Sequence, residues 1–237
     1  MNSTVELPEL VSKNKRRLYF ILLIFQILIV FWPMFLMELM SQGWIPNNMM
    51  FFGISQSIIV LGMIVADTLF VKGLIASKWG FYFMIIVNST NYILSTAAHL
   101  VPEVLNNPIL FRNLNIISSI LVLSTLLVTF FVAIKDIFRL KHDLSYSLLG
   151  AVNIFMLIGT IFAFVIMLFG SVFVGMVVPL DQLISIDIHS MKLAFYSLAS
   201  MDPPYEIVNP FIRNLLVVES IAAHLFVVLI IGRLLSK

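Results

Sequence analysis

The stretch that decides the fold is "MKLAFYSLASMDPPYEIVNPFIRNLLVVESIAAHLF", which runs from Met191 to Phe226. It begins as an apolar helix, is interrupted by Pro203 and Pro204, and continues as a second, longer apolar helix. Proline fixes φ near about −65° and lacks a backbone N–H group, so a helix cannot run through this pair. The stretch therefore predicts two helices joined by a non-helical break. The role of this break is inferred from the sequence on either side of it.

The composition of the chain is that of an integral membrane protein. Of its 237 residues, 61% are hydrophobic and 11% are charged, whereas soluble domains have about 45–50% apolar and about 25% charged residues. The chain has no Cys, which excludes disulfides, thiol chemistry and Cys-based metal sites. The net charge of +2 gives no indication of nucleic-acid binding.

Six apolar runs are long enough to cross a bilayer, since about 20 helical residues cover the hydrocarbon core. The predicted spans are Leu18–Met40, Met50–Val71, Trp79–Val101, Leu114–Ile134, Ser147–Val174 and Phe211–Leu235. Between the fifth and sixth spans lies a short apolar helix, roughly Ile188 to Ser200, with Asp187 as its N-cap. Because this helix is too short to cross, we expect a re-entrant segment that is buried in protein or lines water.

The distribution of Lys and Arg predicts the orientation. With a cytoplasmic N-terminus, the inside segments hold 11 of the 14 basic residues, and the outside segments hold only Arg112, Lys192 and Arg213. This is the asymmetry of the positive-inside rule. We therefore expect both termini in the cytoplasm and a multi-pass protein of the plasma membrane, a bacterial inner membrane by its compact design.

The last 90 or so residues resemble the pore module of the potassium-channel family, the tetrameric pore-loop cation channels. The order is span, short helix, loop, span, and "SMKLAFYSLAS" is similar to that family's pore helix. Pro210, Arg213 and Glu219 match residues found early in its inner helix, and "ESIAAHLFVVLIIGRLLSK" is similar to the inner helix of simple bacterial members.

The resemblance implies an all-α polytopic membrane protein with six transmembrane helices, one re-entrant pore helix and loop, and a homo-tetrameric assembly. It divides the chain into a basic cytoplasmic N-terminus (1–17), a four-helix transmembrane domain of unknown role (18–143) and a pore module (144–237). The topology is like that of voltage-gated channels. However, the fourth span contains no Arg or Lys, so it is not a voltage sensor.

The predicted selectivity filter departs from the family pattern, T-V-G-Y-G. The corresponding segment is "SMDPPYE", formed by Ser200, Met201, Asp202, Pro203, Pro204, Tyr205 and Glu206. It contains no Gly, and its prolines cannot adopt the left-handed conformations that turn successive carbonyls towards an ion. High potassium selectivity is therefore not expected.

Several ionisable residues of this module are candidates for function. In a tetramer, Asp202 and Glu206 would form rings of four carboxylates that attract cations; the alternative is that both are solvated loop residues. Arg213 and Glu219 are predicted to form a structural pair behind the filter. Ala223 occupies the hinge position of the inner helix. His224 either gates by protonation or is a neutral, hydrogen-bonded histidine between helices.

The first four spans carry two polar features. Asn88, Ser89, Thr90 and Asn91 lie near the centre of the third span, and we expect them to join helices rather than bind a ligand. Asp67, near the inner end of the second span, is expected to reach Lys72, Lys78 or water rather than to relay protons.

The sequence thus favours a passive cation pore with weak or altered selectivity, with monovalent or divalent cations as the candidate permeant ions. No phosphate-binding loop, metal-ligand spacing or activated nucleophile indicates an enzyme, a cofactor or a metal site. The first alternative is a non-conducting, channel-like protein that acts through a partner, as a modulator or an immunity-type protein. A secondary transporter is disfavoured because the chain shows no internal repeat.

Overall fold

The computed structural model describes residues 6–45, 49–74, 78–101, 107–139, 144–173, 190–201 and 210–235. Within these ranges the secondary structure is helical, and no strand occurs in them. The helices are α1 (Glu6–Ser41), α2 (Met49–Leu74), α3 (Lys78–Leu100), α4 (Pro108–Arg139), α5 (Leu144–Phe173), α6 (190–198) and α7 (Pro210–Leu235). The predicted all-α fold is confirmed for the described part of the chain.

Five helices are long and apolar enough to cross a membrane, as expected of a multi-pass membrane protein. They contain the segments Asn14–Met40, Ser57–Leu74, Ile109–Phe138, Leu144–Phe169 and Pro210–Gly232. Helix α3 is not among them, although it has 23 residues and lies where the third span was predicted. The reason is the polar run from Asn88 to Asn91 at its centre, which lowers its hydropathy.

Two helices begin earlier than the sequence predicted. Helix α1 includes residues 6–17, which the sequence assigned to a separate basic segment, so its 36 residues extend about 54 Å. That length exceeds the hydrocarbon core of a bilayer, which is about 30 Å thick. The basic residues of this segment therefore lie on a helical extension of the first predicted span.

Helix α4 begins at Pro108 rather than at Leu114 because of its N-cap. The side-chain oxygen Oδ1 of Asn107 accepts a hydrogen bond from the backbone N–H of Leu110 at 3.1 Å. Pro108 then occupies the first helical position, where the missing N–H costs nothing. The cap adds more than one turn to the predicted span.

Helix α5 connects two parts of the molecule. Helices α1, α2, α4 and α5 pack in a closed cycle, and α3 packs against α2 and α4. Helix α7 packs against α5. The division predicted between residues 143 and 144 therefore falls within a packed group of five helices, α1–α5, which we call the five-helix unit. Only four residues separate α4 from α5, which makes them natural antiparallel neighbours.

Tyr19 lies at the centre of the packing between α1, α2 and α5. Its ring is fully buried and meets Phe70 edge to face, with 4.7 Å between the ring centroids. It meets Tyr146 in the same way at 5.3 Å. Such edge-to-face contacts are worth about 0.5–1.5 kcal/mol beyond the buried area. The hydroxyl groups of both tyrosines point to one buried carboxylate.

That carboxylate belongs to Asp136 of α4, and it joins three helices. Lys15 of α1 donates to Oδ1 at 2.9 Å. The Tyr19 hydroxyl donates to Oδ2 at 3.2 Å, and the Tyr146 hydroxyl of α5 donates to the same oxygen. We call these four residues the Asp136 junction. Because hydrogen bonds to a charged acceptor are stronger than neutral ones, the junction fixes the relative positions of α1, α4 and α5.

Removing one donor from this junction should destabilise the protein measurably. Tyr146→Phe deletes a single hydroxyl group, and we expect a loss of about 1–2 kcal/mol because the buried carboxylate loses a donor. The measurement is thermal or denaturant unfolding of the purified protein in detergent. Tyr82→Phe is the matched control, since Tyr82 is exposed on α3. Equal unfolding of both variants would show that the junction contributes nothing to stability.

Candidate functional site

The short helix α6 packs between α5 and α7. Met191, Leu193, Ala194 and Leu198 are buried on its inner side. Gly159 of α5 makes room for it, because a Cβ atom at Gly159 would come within 2.9 Å of Leu198 and 3.1 Å of Phe195. A side chain at position 159 would therefore displace the side chains of Leu198 and Phe195.

Two side-chain contacts place the end of α6 against the middle of α7. The Ser197 hydroxyl donates to the backbone carbonyl of Leu216 at 2.6 Å. The Ser200 hydroxyl lies 3.2 Å from Nε2 of His224. His224 is 14 residues beyond the start of α7, a rise of about 21 Å along its axis. Helix α6 therefore ends level with the middle of α7, not near its start.

Helix α6 ends in a Schellman motif with Ser in the left-handed position. The N–H of Ser200 bonds to the carbonyl of Ser197 at 3.0 Å, and the N–H of Met201 bonds to that of Tyr196 at 2.8 Å. Ser200 has φ of 57°, a conformation that Gly adopts freely and other residues rarely adopt. The same motif ends α1, where Gly43 takes this position with φ of 73°.

His224 is exposed on α7 and is held by two hydrogen bonds. Nδ1 lies 2.6 Å from the carbonyl oxygen of Ser220. Because a carbonyl only accepts, Nδ1 carries the proton in this contact. In the neutral ring Nε2 is then an acceptor for the Ser200 hydroxyl. The hydrogen bond to Ser200 shows that His224 joins α7 to α6, and protonation-dependent gating stays a prediction.

Glu219 lies on the opposite, buried side of α7. Leu216, Ala223, Phe226 and Ile230 share this side and face α5. Glu219 has no exposed surface, and neither of its carboxylate oxygens has a hydrogen-bond partner among the described residues. Arg213 is exposed, and six residues of helix separate it from Glu219, about 240° of rotation. The structure therefore does not bring the predicted pair together. Ala223 packs in the core.

The predicted filter is described only at its start. Ser200 and Met201 are exposed at the end of α6. Asp202, Pro203, Pro204, Tyr205 and Glu206 lie outside the described residues, as does the predicted N-cap Asp187. The proposed carboxylate rings at Asp202 and Glu206 stay predictions.

Two of the four polar residues at the centre of α3, Asn88 and Asn91, join helices as predicted, whereas Ser89 and Thr90 are exposed. The side-chain amide of Asn88 donates to the Thr68 hydroxyl of α2 at 3.3 Å. The Ser118 hydroxyl of α4 donates to the side-chain oxygen of Asn91 at 2.6 Å. Both asparagines are buried. These hydrogen bonds confirm the predicted role for the two asparagines of the cluster.

One contact differs from the sequence prediction, and another was not predicted. Asp67 was expected to reach Lys72, Lys78 or water, but it accepts a hydrogen bond from the Thr129 hydroxyl of α4 at 3.2 Å. It is buried on the inner side of α2, whereas Lys72 is exposed. The Asp136 junction was not predicted either. No local spacing indicated it, because Lys15 and Tyr19 lie 121 and 117 positions from Asp136 in the chain.

Comparisons with family models, with curated proteins and with solved structures gave no match for this chain.

The strained position of Ser200 gives a test of how α6 is held. Ser200→Gly relieves the left-handed strain but loses the hydroxyl group, whereas Ser200→Ala keeps the strain and loses the hydroxyl group. We expect the Gly variant to be more stable than the Ala variant by about 1 kcal/mol. Unfolding of the two purified variants in detergent measures the difference. Equal stabilities would mean that residue 200 leaves the left-handed conformation without cost.

Proposed function

We propose that the chain is a potassium-channel-like membrane protein that forms a passive cation pore from four copies. In each copy α5 is the outer helix, α6 is the pore helix, and α7 is the inner helix. The segment "SMDPPYE" would follow the pore helix in the place of a selectivity filter. Because it contains no Gly and two prolines, the pore would have weak or altered selectivity among monovalent or divalent cations.

The observation that carries this proposal is the position where α6 ends. Its non-helical end at Ser200 and Met201 lies level with the middle of α7, a helix long enough to cross a membrane. Irregular backbone at membrane depth is tolerated only where it is buried in protein or lines a water-filled cavity. Ser200, Met201 and His224 are exposed in a single chain. Further copies around a water-filled axis would supply the polar surroundings they need.

The proposal includes the topology and the orientation. Helix α3 would complete the set of six spans, since it packs along both α2 and α4 and its two buried asparagines, Asn88 and Asn91, bond to those neighbours. With six spans, the positive-inside rule places both termini in the cytoplasm. The membrane would be the plasma membrane.

Electrostatics favours cations at the proposed entrance. The C-terminal end of α6 carries the partial negative charge of a helix dipole and would point towards the axis. Asp202 and Glu206 follow it within eight residues. In a tetramer, these residues would add eight carboxylates around one axis, the arrangement used by cation channels.

The absence of glycine from the filter segment also supports a second candidate, a non-conducting protein. Without conformations that direct carbonyls to an ion, the loop could be the remnant of a pore. The exposed part of α7 would then contact a partner protein, as in a modulator or an immunity-type protein. A measurement of cation flux distinguishes the two functions, because only the pore conducts cations.

The assembly can be tested by the native mass of the protein in a mild detergent, corrected for bound detergent and lipid. We expect four times the 26.9 kDa of one chain. A tetramer supplies the four-fold axis that the pore requires. A monomer or a dimer would contradict the pore and favour the partner-binding protein.

The charge rings can be tested by cation flux into proteoliposomes. We expect Asp202→Asn with Glu206→Gln to lower the flux by about tenfold, because carboxylates at an entrance concentrate cations. Glu38→Gln is the matched control, since it removes an exposed carboxylate hydrogen-bonded to Gln42 at the end of α1. An unchanged flux in the double variant would exclude the proposed role of both carboxylates.

A further inference from the structure

A line of buried polar side chains runs along α4. Ser118, Thr125, Thr129 and Asp136 are separated by seven, four and seven residues. At about 100° per residue, these spacings bring all four to the same side of the helix. Each is no more than 9% exposed. From Ser118 to Asp136 the line is about 27 Å long, close to the thickness of a bilayer's hydrocarbon core. We call it the polar line of α4.

Three of its four members bond to other helices. Ser118 donates to Asn91 of α3, and Thr129 donates to Asp67 of α2. Asp136 accepts from Lys15 and from the two tyrosines of the Asp136 junction. The Thr125 hydroxyl donates to the carbonyl of Val122 in its own helix. Polar groups thus line the inside of the five-helix unit from one end to the other.

Asp67 is the member of this network that helix packing alone does not explain. Amides and hydroxyls are sufficient to join helices, as Asn88 and Thr68 do. A carboxyl group is a far more costly group to bury in an apolar surrounding. Asp67 is 3% exposed, and no ion pair to it occurs among the described residues. An ionisable residue inside a membrane span indicates a functional site.

The chemistry of the site fits a proton better than a metal ion. Among the described residues, no three His, Asp or Glu side chains gather as ligands. The buried amides of α3 are paired with hydroxyl groups, since the Asn88 amide nitrogen donates to Thr68 and the Asn91 oxygen accepts from Ser118. What remains is a single carboxyl group with one hydroxyl partner, and that group can bind and release one proton.

Besides Asp67, four titratable side chains of the surrounding helices point into the five-helix unit. All four lie at one end of the polar line of α4. They are Lys15 and Tyr19 on α1, Asp136 on α4 and Tyr146 on α5. The described inward side chains of α3 that contact α2 and α4 are amides. Thr129, the partner of Asp67, is seven residues from Asp136, about 10.5 Å along α4. Water molecules would have to bridge this distance.

We propose that Asp67 is a proton-exchanging site inside the five-helix unit and that the polar line of α4 connects it to both ends of the unit. Protonated Asp67 passes its proton to a water molecule and becomes a carboxylate. A proton that arrives through water from the other end of the five-helix unit then protonates the Asp67 carboxylate again. One proton crosses per cycle, and no other bond changes. This activity is separate from the pore proposed above, because it uses α2 and α4 rather than α6 and α7.

The test is proton flux through the full-length protein in liposomes that contain a pH-sensitive dye. Potassium and valinomycin hold the membrane potential constant while an outside acid pulse is applied. We expect wild-type protein to admit protons faster than protein-free liposomes. Asp67→Asn should lower the protein-dependent rate by about tenfold or more, because it removes the exchanging carboxyl group while keeping its shape. Asp67→Glu should retain part of the rate.

Two further variants keep the test specific. Ser124→Ala is the matched control, because Ser124 lies beside Thr125 but off the polar line and donates to Ile120 of its own helix. It should leave the flux unchanged. Thr129→Val should lower the flux, since it removes the partner of Asp67. Unfolded material is excluded by requiring the same elution volume and helix content for every variant.

The pore and the polar line are distinguished by the variant Asp202→Asn with Glu206→Gln. If the proposal is right, this variant still admits protons, whereas the protein-dependent rate of Asp67→Asn is lower by about tenfold or more. Proton flux that is lost in the loop variant but kept in Asp67→Asn would overturn the proposal and assign the flux to the pore. A wild-type rate equal to that of protein-free liposomes would also overturn it, whatever the result of the cation-flux experiment.

Discussion

Hydrogen bonds between buried polar side chains of different helices organise the five-helix unit, because such bonds form only when those helices pack together. The clearest case is Asp136, whose carboxylate accepts bonds from Lys15, Tyr19 and Tyr146. An ionised group buried without partners would cost several kcal/mol. The three donors remove that cost only when α1, α4 and α5 are side by side. The carboxylate therefore specifies which helices meet and at what level.

The same constraint positions α3 and the short helix. Helix α3 lacks a segment apolar enough to count among the five candidate spans, yet Asn88 and Asn91 bond to α2 and α4 and place it against both. Helix α6 is bound to α7 by Ser197 and Ser200. In a surrounding without water these bonds have few competitors, so a small number of polar residues determines the arrangement of long apolar helices.

Helix α5 links the two activities that we propose. It contacts α1 and α4 within the five-helix unit and α7 in the proposed pore. The Asp136 junction holds one end of α5 through Tyr146, and Gly159 near its middle receives α6. The proposed proton path also ends at this junction, which places both proposed activities on one connected framework.

The sequence by itself determined the membrane class and the helical fold. The apolar runs are long and separated by short polar segments, and length and hydropathy suffice to locate such helices. Thus α2, α5 and α7 lie within a few residues of their predicted bounds, whereas α1 and α4 begin earlier. The short helix before Pro203 and Pro204 was also predictable, because a pair of prolines ends any helix. The role of Asn88 and Asn91 followed from their position in the middle of a predicted span.

Only the tertiary structure decided which polar groups meet. The spacing on α4 places Thr129 and Asp136 on one side, but it does not say that Asp67 contacts the first and Lys15 the second. Likewise, Arg213 and Glu219 are close in sequence but lie on different sides of α7. Ser200 contacts His224 although the two are 24 positions apart in the sequence. The physical reason is that hydropathy fixes the depth of a helix but not its rotation or its neighbours. Those depend on packing and hydrogen bonds between residues far apart in the chain.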